Sequence, residues 1–144
     1  MTKTILYVIF AAALSACAAP QYNNALNNLS NASLNEVIGY SNEVKDFLYG
    51  GGTEDAALDA GKSSVLGVLK DPDSARFRNV RLKAYFDGAV VCGEVNAKNS
   101  YGGYGGFTKF VAGIKGATLH TDSSRYATVN AASNTGIGAA CPGG

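Results

Sequence analysis

The stretch that most constrains the fold runs from Arg76 to Phe110, where a β-hairpin pattern is followed by a glycine-rich loop and a third apolar segment. Asp87-Gly88 separates two apolar-rich runs, and these residues tolerate the positive φ angles that a two-residue type I′ turn needs. Placing Phe86 opposite Ala89 puts the apolar residues of both runs on one face, in the pairs Ala84 with Val91, Leu82 with Gly93 and Val80 with Val95. The other face is mixed, and there the register pairs Lys83 with Cys92 and Arg81 with Glu94.

The same alternation of apolar and polar residues gives predictions for Phe77, before the hairpin, and for two strands after it. Phe77 falls on the mixed face, unless a bulge at Arg78-Asn79 turns it toward the core, and both interpretations remain open. Beyond the loop 98–106, apolar residues alternate over 108–114 and predict a third strand, while residues 117–121 predict a fourth.

Two amphipathic helices precede the hairpin. The first, over residues 33–48, opens with the capping-box pattern Ser-Leu-Asn-Glu. The second, over 53–70, has Thr53 as its expected cap and two carboxylates in its first turn, and it stops before Pro72. Gly61 lies on the buried stripe of the second helix, which indicates close approach of a neighbouring element. The sequence therefore predicts one α+β domain over 33–144, with both helices packed on the apolar face of a three- or four-stranded antiparallel sheet.

Residues 1–16 have the pattern of a bacterial signal peptide, because one early cation precedes an apolar run that is too short to span a bilayer. Leu14-Ser15-Ala16-Cys17 resembles the lipobox of bacterial lipoprotein precursors. The resemblance implies that Cys17 carries lipid and anchors the mature chain to a membrane. Ala18, in place of the aspartate that retains many such proteins in the inner membrane, favours the outer membrane and a periplasmic domain. The alternative is an ordinary secretory signal with a chance cysteine.

Residues 17–32 are polar, rich in asparagine and without an apolar period. They predict a flexible tether between lipid and domain. The alternative is a helix laid on the surface, against which the low helix propensity of asparagine argues.

The balance of charge excludes some partners. The chain has 12 Lys and Arg and 11 Asp and Glu, and removing Lys3 with the signal peptide leaves 11 against 11. A balanced domain argues against nucleic acid as a partner. The acidic residues concentrate in the helical half and the basic residues in the strand half. This segregation fits either solvated faces that attract one another or an anion-binding surface.

Two cysteines remain if Cys17 is lipidated, and in an oxidising envelope Cys92 and Cys141 are expected to form a disulfide. In the chain-entropy model, closing a loop of this length contributes about 4 kcal/mol. The bond would hold an otherwise irregular tail, residues 122–144, across the mixed face. The cysteines and His120 show no metal-ligand spacing, so we expect neither a metal nor another cofactor.

The loop after the hairpin carries an aromatic residue at every third position, Tyr101, Tyr104 and Phe107, among glycines. These rings either form a platform that stacks on a sugar, a peptide or a partner side chain, or fold back to cover the edge of the sheet. Lys98, at the start of the loop, joins the candidate binding residues. Arg81 and Glu94 form either a polar binding strip or an ordinary surface ion pair.

Catalytic motifs are not apparent. His120 is the single histidine and has no recognisable motif partner, and the serines lie in neither a G-x-S-x-G nor an S-x-x-K pattern. The sequence therefore favours a binding protein over an enzyme.

Segments 71–80 and 91–107 read DPDSARFRNV and VCGEVNAKNSYGGYGGF. They resemble a family of small uncharacterised bacterial and prophage-associated envelope lipoproteins. The resemblance implies an organised module and supplies no reaction. Three functions follow as hypotheses: a binding or envelope-assembly module with a protein or peptidoglycan partner, a protective or inhibitory lipoprotein against a lytic enzyme or phage entry, and a cell-wall hydrolase.

Overall fold

A computed structural model describes residues 18–143 of the protein, with side chains from residue 21. These residues form four helices, one 3-10 turn and a four-stranded antiparallel sheet of order β1-β2-β3-β4. The elements are α1 (Ala18–Tyr49), α2 (Glu54–Leu66), the turn Pro72–Ser74, β1 (Arg76–Tyr85), β2 (Gly88–Asn96), β3 (Thr108–Ala112), β4 (Ala117–Leu119), α3 (Ala127–Ser133) and α4 (Thr135–Ala140). The predicted α+β class and antiparallel sheet are confirmed. The predicted signal peptide and Cys17 lie outside the described residues, and no helix within 18–143 is both long and apolar enough to cross a bilayer.

The hairpin turn lies one residue earlier than predicted. Tyr85 pairs with Gly88, so the turn residues are Phe86, at a φ of 52°, and Asp87. Gly88 is drawn into the strand because α1 crosses it closely: a Cβ on Gly88 would lie 2.7 Å from the Ser41 hydroxyl oxygen. The predicted pairs were therefore wrong, since Leu82 lies opposite Val91. Between Arg81 and Tyr85 the shift is two residues, so these side chains of β1 keep their predicted face.

A bulge in β1 accounts for Phe77. The pairing of β1 with β2 shifts between Arg78 and Arg81, and Asn79 there takes a φ of 55°. The bulge turns Phe77 toward the core, where its ring meets Phe110 edge-on at 5.9 Å between centroids. The bulge interpretation of the sequence is confirmed.

The sheet is covered on both faces. One face packs with α2 around a cluster of Val65, Val91, Val95, Phe110 and Ala112. The other packs with α1 and α4 around Val37, Tyr40, Val90, Cys92, Val111, Ile137, Ala140 and Cys141. The prediction that both N-terminal helices share one face was wrong, because β2 is buried on both sides. The predicted close approach at Gly61 is confirmed, since a Cβ there would lie 2.6 Å from a Val91 methyl carbon.

The N-terminal part of α1 packs on the two helices of the tail. α1 spans Ala18–Tyr49, so residues 18–32 are helical where a flexible tether was predicted. The tail 122–143 forms α3 and α4 where irregular chain was predicted, and Ile137 is buried. Ser33, the expected cap residue, lies inside α1 and bonds both tail helices: its hydroxyl donates to Ser133 O at 2.8 Å and accepts from Gly136 N at 2.9 Å. Mutual packing thus orders two segments that are poor structure formers alone.

Candidate functional site

The candidate site lies at one end of the sheet. α1 contacts the other end, at the hairpin turn of residues 85–88, which we call the hairpin end. The opposite end, formed by the start of β1, the end of β2 and the start of β3, we call the loop end. Six side chains there form what we call the aromatic-basic surface: Arg76, Arg78, Lys98, Tyr101, Tyr104 and Phe107.

Asn99 fixes the conformation of the aromatic loop. Its side-chain oxygen accepts from Tyr101 N at 2.9 Å and from Gly103 N at 3.2 Å. Its backbone N–H donates to Gly103 O at 2.9 Å. Gly102 takes a φ of 79°, which a glycine adopts without steric cost. Tyr101, at the tip, is 97% exposed. The loop therefore presents an aromatic ring to solvent from an ordered backbone.

Tyr104 combines the two roles that the sequence left open. Its hydroxyl donates to Ser74 O at 3.2 Å, which ties the loop to the turn before β1. Tyr104 nevertheless stays 41% exposed, with the Arg76 guanidinium carbon 4.8 Å and Lys98 Nζ 5.9 Å from its ring centroid. Both distances are within the range of cation–π attraction.

Phe107 and Glu94 share one cation, Arg78. The Arg78 guanidinium carbon lies 3.9 Å from the Phe107 ring centroid, and its nitrogens donate to both Glu94 oxygens at 2.8 and 3.1 Å. Asn79 donates to the same carboxylate at 2.9 Å. The predicted Arg81 partner of Glu94 was wrong because of the register shift and the bulge. Arg81 instead donates to the tail at Gly143 O, at 3.3 Å.

These contacts predict how Glu94 titrates. The hydrogen bonds from Arg78, and then those from Asn79, lower the pKa of Glu94 from its ordinary value of 4.5. A carboxyl whose pKa is lower in the folded chain adds stability above its ordinary pKa and loses that contribution as pH falls through the lowered value. We expect Arg78→Ala to raise the pKa of Glu94 toward 4.5. The Arg78→Ala protein should be less stable than the wild type at neutral pH, and this difference should shrink as the pH falls from 4.5 through the lowered pKa of the wild type.

NMR titration of the Glu94 carboxyl carbon and urea unfolding from neutral to acid pH measure both effects. Lys62→Ala is the control, because Lys62 pairs with Asp59 on α2 at 2.7 Å, away from Glu94, and should leave the titration of Glu94 unchanged. A wild-type Glu94 that titrates at its ordinary pKa would contradict this account.

The predicted disulfide between Cys92 and Cys141 is confirmed, with the two Cα atoms 5.8 Å apart. Beside it lies an open groove of about 450 Å³, lined among others by Glu94, Phe107, Lys109, His120 and Asn134. The groove adjoins the aromatic-basic surface through Phe107. The His120 Nδ1 atom lies 3.6 Å from an Asp122 oxygen, and no hydroxyl among residues 18–143 hydrogen-bonds the imidazole.

Sequence reasoning found the aromatic residues and Lys98 of this site, but it did not place Arg76 and Arg78 beside the rings. The sequence held one signal for this, the spacing of Arg76 and Arg78, because residues two apart in a strand share a face. Both residues also precede a loop with regularly spaced rings. Among residues 18–143 no three His, Cys, Asp or Glu side chains form a cluster that could hold a metal ion.

No protein-family model, curated protein or solved structure matches this chain.

Proposed function

We propose that the protein is a lipid-anchored binding module of the bacterial envelope and belongs to the family of small envelope lipoproteins that its motifs resemble. The signal peptide 1–16 is removed, Cys17 carries the lipid, and the domain faces the periplasm from the outer membrane. The aromatic-basic surface binds an acidic component of the envelope, without catalysis.

The arrangement of exposed rings and cations at the loop end carries this proposal. Tyr101 is 97% exposed on a hydrogen-bonded loop, and a ring held out in this way has hydrophobic area available to a partner. Beside it, neither Arg76 nor Lys98 forms an ion pair within residues 18–143, whereas Arg78 is neutralised by Glu94. Unpaired cations next to rings favour a partner that offers both negative charge and an apolar or planar group.

Photo-crosslinking in cells tests the surface directly. A photoreactive phenylalanine analogue replaces Tyr101 in one variant and Tyr49 in the control, because Tyr49 is 85% exposed at the hairpin end. We expect an adduct from position 101 that is lost with Arg76→Ala, and none from position 49. Equal adducts at both positions, or none from position 101, would contradict the proposal.

The identity of the adduct separates the candidate partners. Mass spectrometry distinguishes a lipid, a glycan strand and an envelope protein. A lytic enzyme or a phage protein as the adduct would favour the inhibitory alternative. The hydrolase alternative requires the purified domain to degrade peptidoglycan, and no described contact of His120 gives it a nucleophile.

The anchor has its own test. Globomycin or Cys17→Ser should cause unprocessed precursor to accumulate, because both block the lipoprotein route of signal cleavage. Normal processing in both cases would remove the lipid anchor from the proposal.

A further inference from the structure

The aromatic-basic surface and the N-terminus of α1 lie at the same end of the molecule. The C-terminal part of α1 is held at the hairpin end, where Lys45 pairs with Asp87 at 2.9 Å and Ser41 donates to Tyr85 O at 2.6 Å. Followed toward its N-terminus, α1 next contacts α4 at Ser33 and then α3, where the Tyr22 and Thr128 hydroxyls lie 2.6 Å apart. The helix therefore runs from the hairpin end toward α3.

α3 in turn lies at the loop end. β4 runs antiparallel to β3, and His120 N donates to Lys109 O at 2.8 Å, so the chain leaves β4 where β3 begins. Directly after this point the tail is held by two hydrogen bonds, which Thr121 N donates to the Asn134 side-chain oxygen at 2.9 Å and Ser124 N donates to the Asn130 side-chain oxygen at 3.0 Å. Tyr22, which contacts this tail, consequently lies at the loop end as well.

The anchor position follows from helix geometry. α1 continues from Tyr22 to Ala18, which is about 6 Å along the axis at about 1.5 Å per residue. Cys17 is the next residue in the chain. A flexible tether over residues 17–32 would let the domain turn freely, whereas a helix packed on α3 holds the loop end toward the bilayer that takes the lipid.

We infer that the loop end docks on the membrane that holds the anchor and selects anionic lipid headgroups there. The inference rests on the proposed function, because it requires Cys17 to be lipidated, and it names the acidic partner of the aromatic-basic surface. Exposed tyrosines suit this position, since an aromatic ring with a polar group sits well at headgroup level. Tyr101 and Tyr126 are 97% and 55% exposed at this end.

The charges at the loop end fit anionic headgroups. With the Arg78–Glu94 pair set aside, the acidic residues there are Asp71, Asp73 and Asp122. The cations are Lys70, Arg76, Lys98, Lys109 and Arg125. The excess is therefore positive, and cations near an anionic leaflet attract its headgroup phosphates.

Tryptophan fluorescence tests the orientation on the lipidated protein. The sequence contains no tryptophan, so Tyr101→Trp and Tyr49→Trp each introduce a single reporter, one at either end. The lipidated variants are reconstituted into vesicles of phosphatidylethanolamine and phosphatidylglycerol that contain brominated lipids. We expect strong quenching at position 101 and little at position 49. Equal quenching at both positions, or stronger quenching at position 49, would overturn the inference.

Two further arms test the selection of anionic headgroups. Vesicles of phosphatidylcholine alone should reduce quenching at position 101, and undiminished quenching would overturn the selectivity. Arg76→Glu and Lys98→Glu should reduce quenching in anionic vesicles, whereas Lys83→Glu, near the hairpin end, should not. For the unlipidated chain from Ala18, which retains both core clusters and the disulfide, the neutral variants Arg76→Gln and Lys98→Gln should each reduce partitioning onto anionic vesicles roughly fivefold.

The two proposals can fail separately. If position 101 stays unquenched while its photo-adduct is a glycan or a protein, the membrane inference is overturned and the binding module stands. If position 101 gives neither quenching nor an adduct, both are overturned.

Discussion

Cys141→Ser should lower the melting temperature of the domain by about 12–20 °C. The disulfide joins residues that are 49 apart in the sequence, and in the chain-entropy model its loss costs about 4 kcal/mol. At this chain length each kcal/mol corresponds to roughly 3–5 °C. The bond also fastens α4, so its loss should expose the tail to proteolysis first. Circular dichroism melts and limited proteolysis of the unreduced protein measure the two effects.

The paired variant Cys92→Ser with Cys141→Ser separates the bond from the free thiol that one substitution leaves behind. The single and the paired variant should melt at about the same temperature. The melting temperature of the wild type under strong reductant should approach that of the two variants. A single variant that melts within a few degrees of the wild type would show that α4 docks without its covalent link.

Gly136→Ala should destabilise the domain by about 3 kcal/mol, the upper range for overpacking a core. An added Cβ would collide with the Ser33 carbonyl group and lie 2.7 Å from a Val37 methyl carbon. Backbone atoms cannot rotate away as a side chain can, so α1 and α4 must separate. The same movement breaks the hydrogen bond from Gly136 N to the Ser33 hydroxyl, 2.9 Å in the native fold.

Gly138→Ala is the matched control, two residues along the same helix. A Cβ there would meet nothing within 4 Å, and alanine is the better helix former by up to about 1 kcal/mol. The two substitutions should therefore change stability in opposite directions, which urea unfolding resolves. Equal losses would mean that any alanine in α4 is harmful, and would argue against the close contact.

The sequence predicted those features of the fold that depend on local pattern. The capping residue Thr53 accepts from Ala56 N at 3.2 Å as expected, Gly61 receives Val91, and the two available cysteines pair. In each case one residue type had one dominant physical use: a hydroxyl before a helix, a missing side chain on a buried stripe, and the two thiols that remain if Cys17 is assigned to lipid.

Predictions failed where distant segments decided the outcome. Asp87-Gly88 is a strong turn signal, but Gly88 serves as the contact with Ser41 of α1, and the turn moves to Phe86-Asp87. Ile137 is an isolated apolar residue in a polar tail, so no periodicity revealed the helix that buries it. At the site, the rings were identified from their spacing, whereas the pairing of Arg78 with Glu94 depended on a bulge that the pattern allowed without requiring.

The bulge at Asn79 also protects the outer edge of the sheet. β1 is an edge strand of ten residues, long enough to pair with the same strand of another copy. Asn79 breaks its regular series of outward N–H and C=O groups, and the exposed side chains of Arg81 and Lys83 put charge beside the break. If the chain is anchored as proposed, its copies would collide in two dimensions, where local concentrations are high. An irregular, charged edge keeps such neighbours from joining sheet to sheet into aggregates.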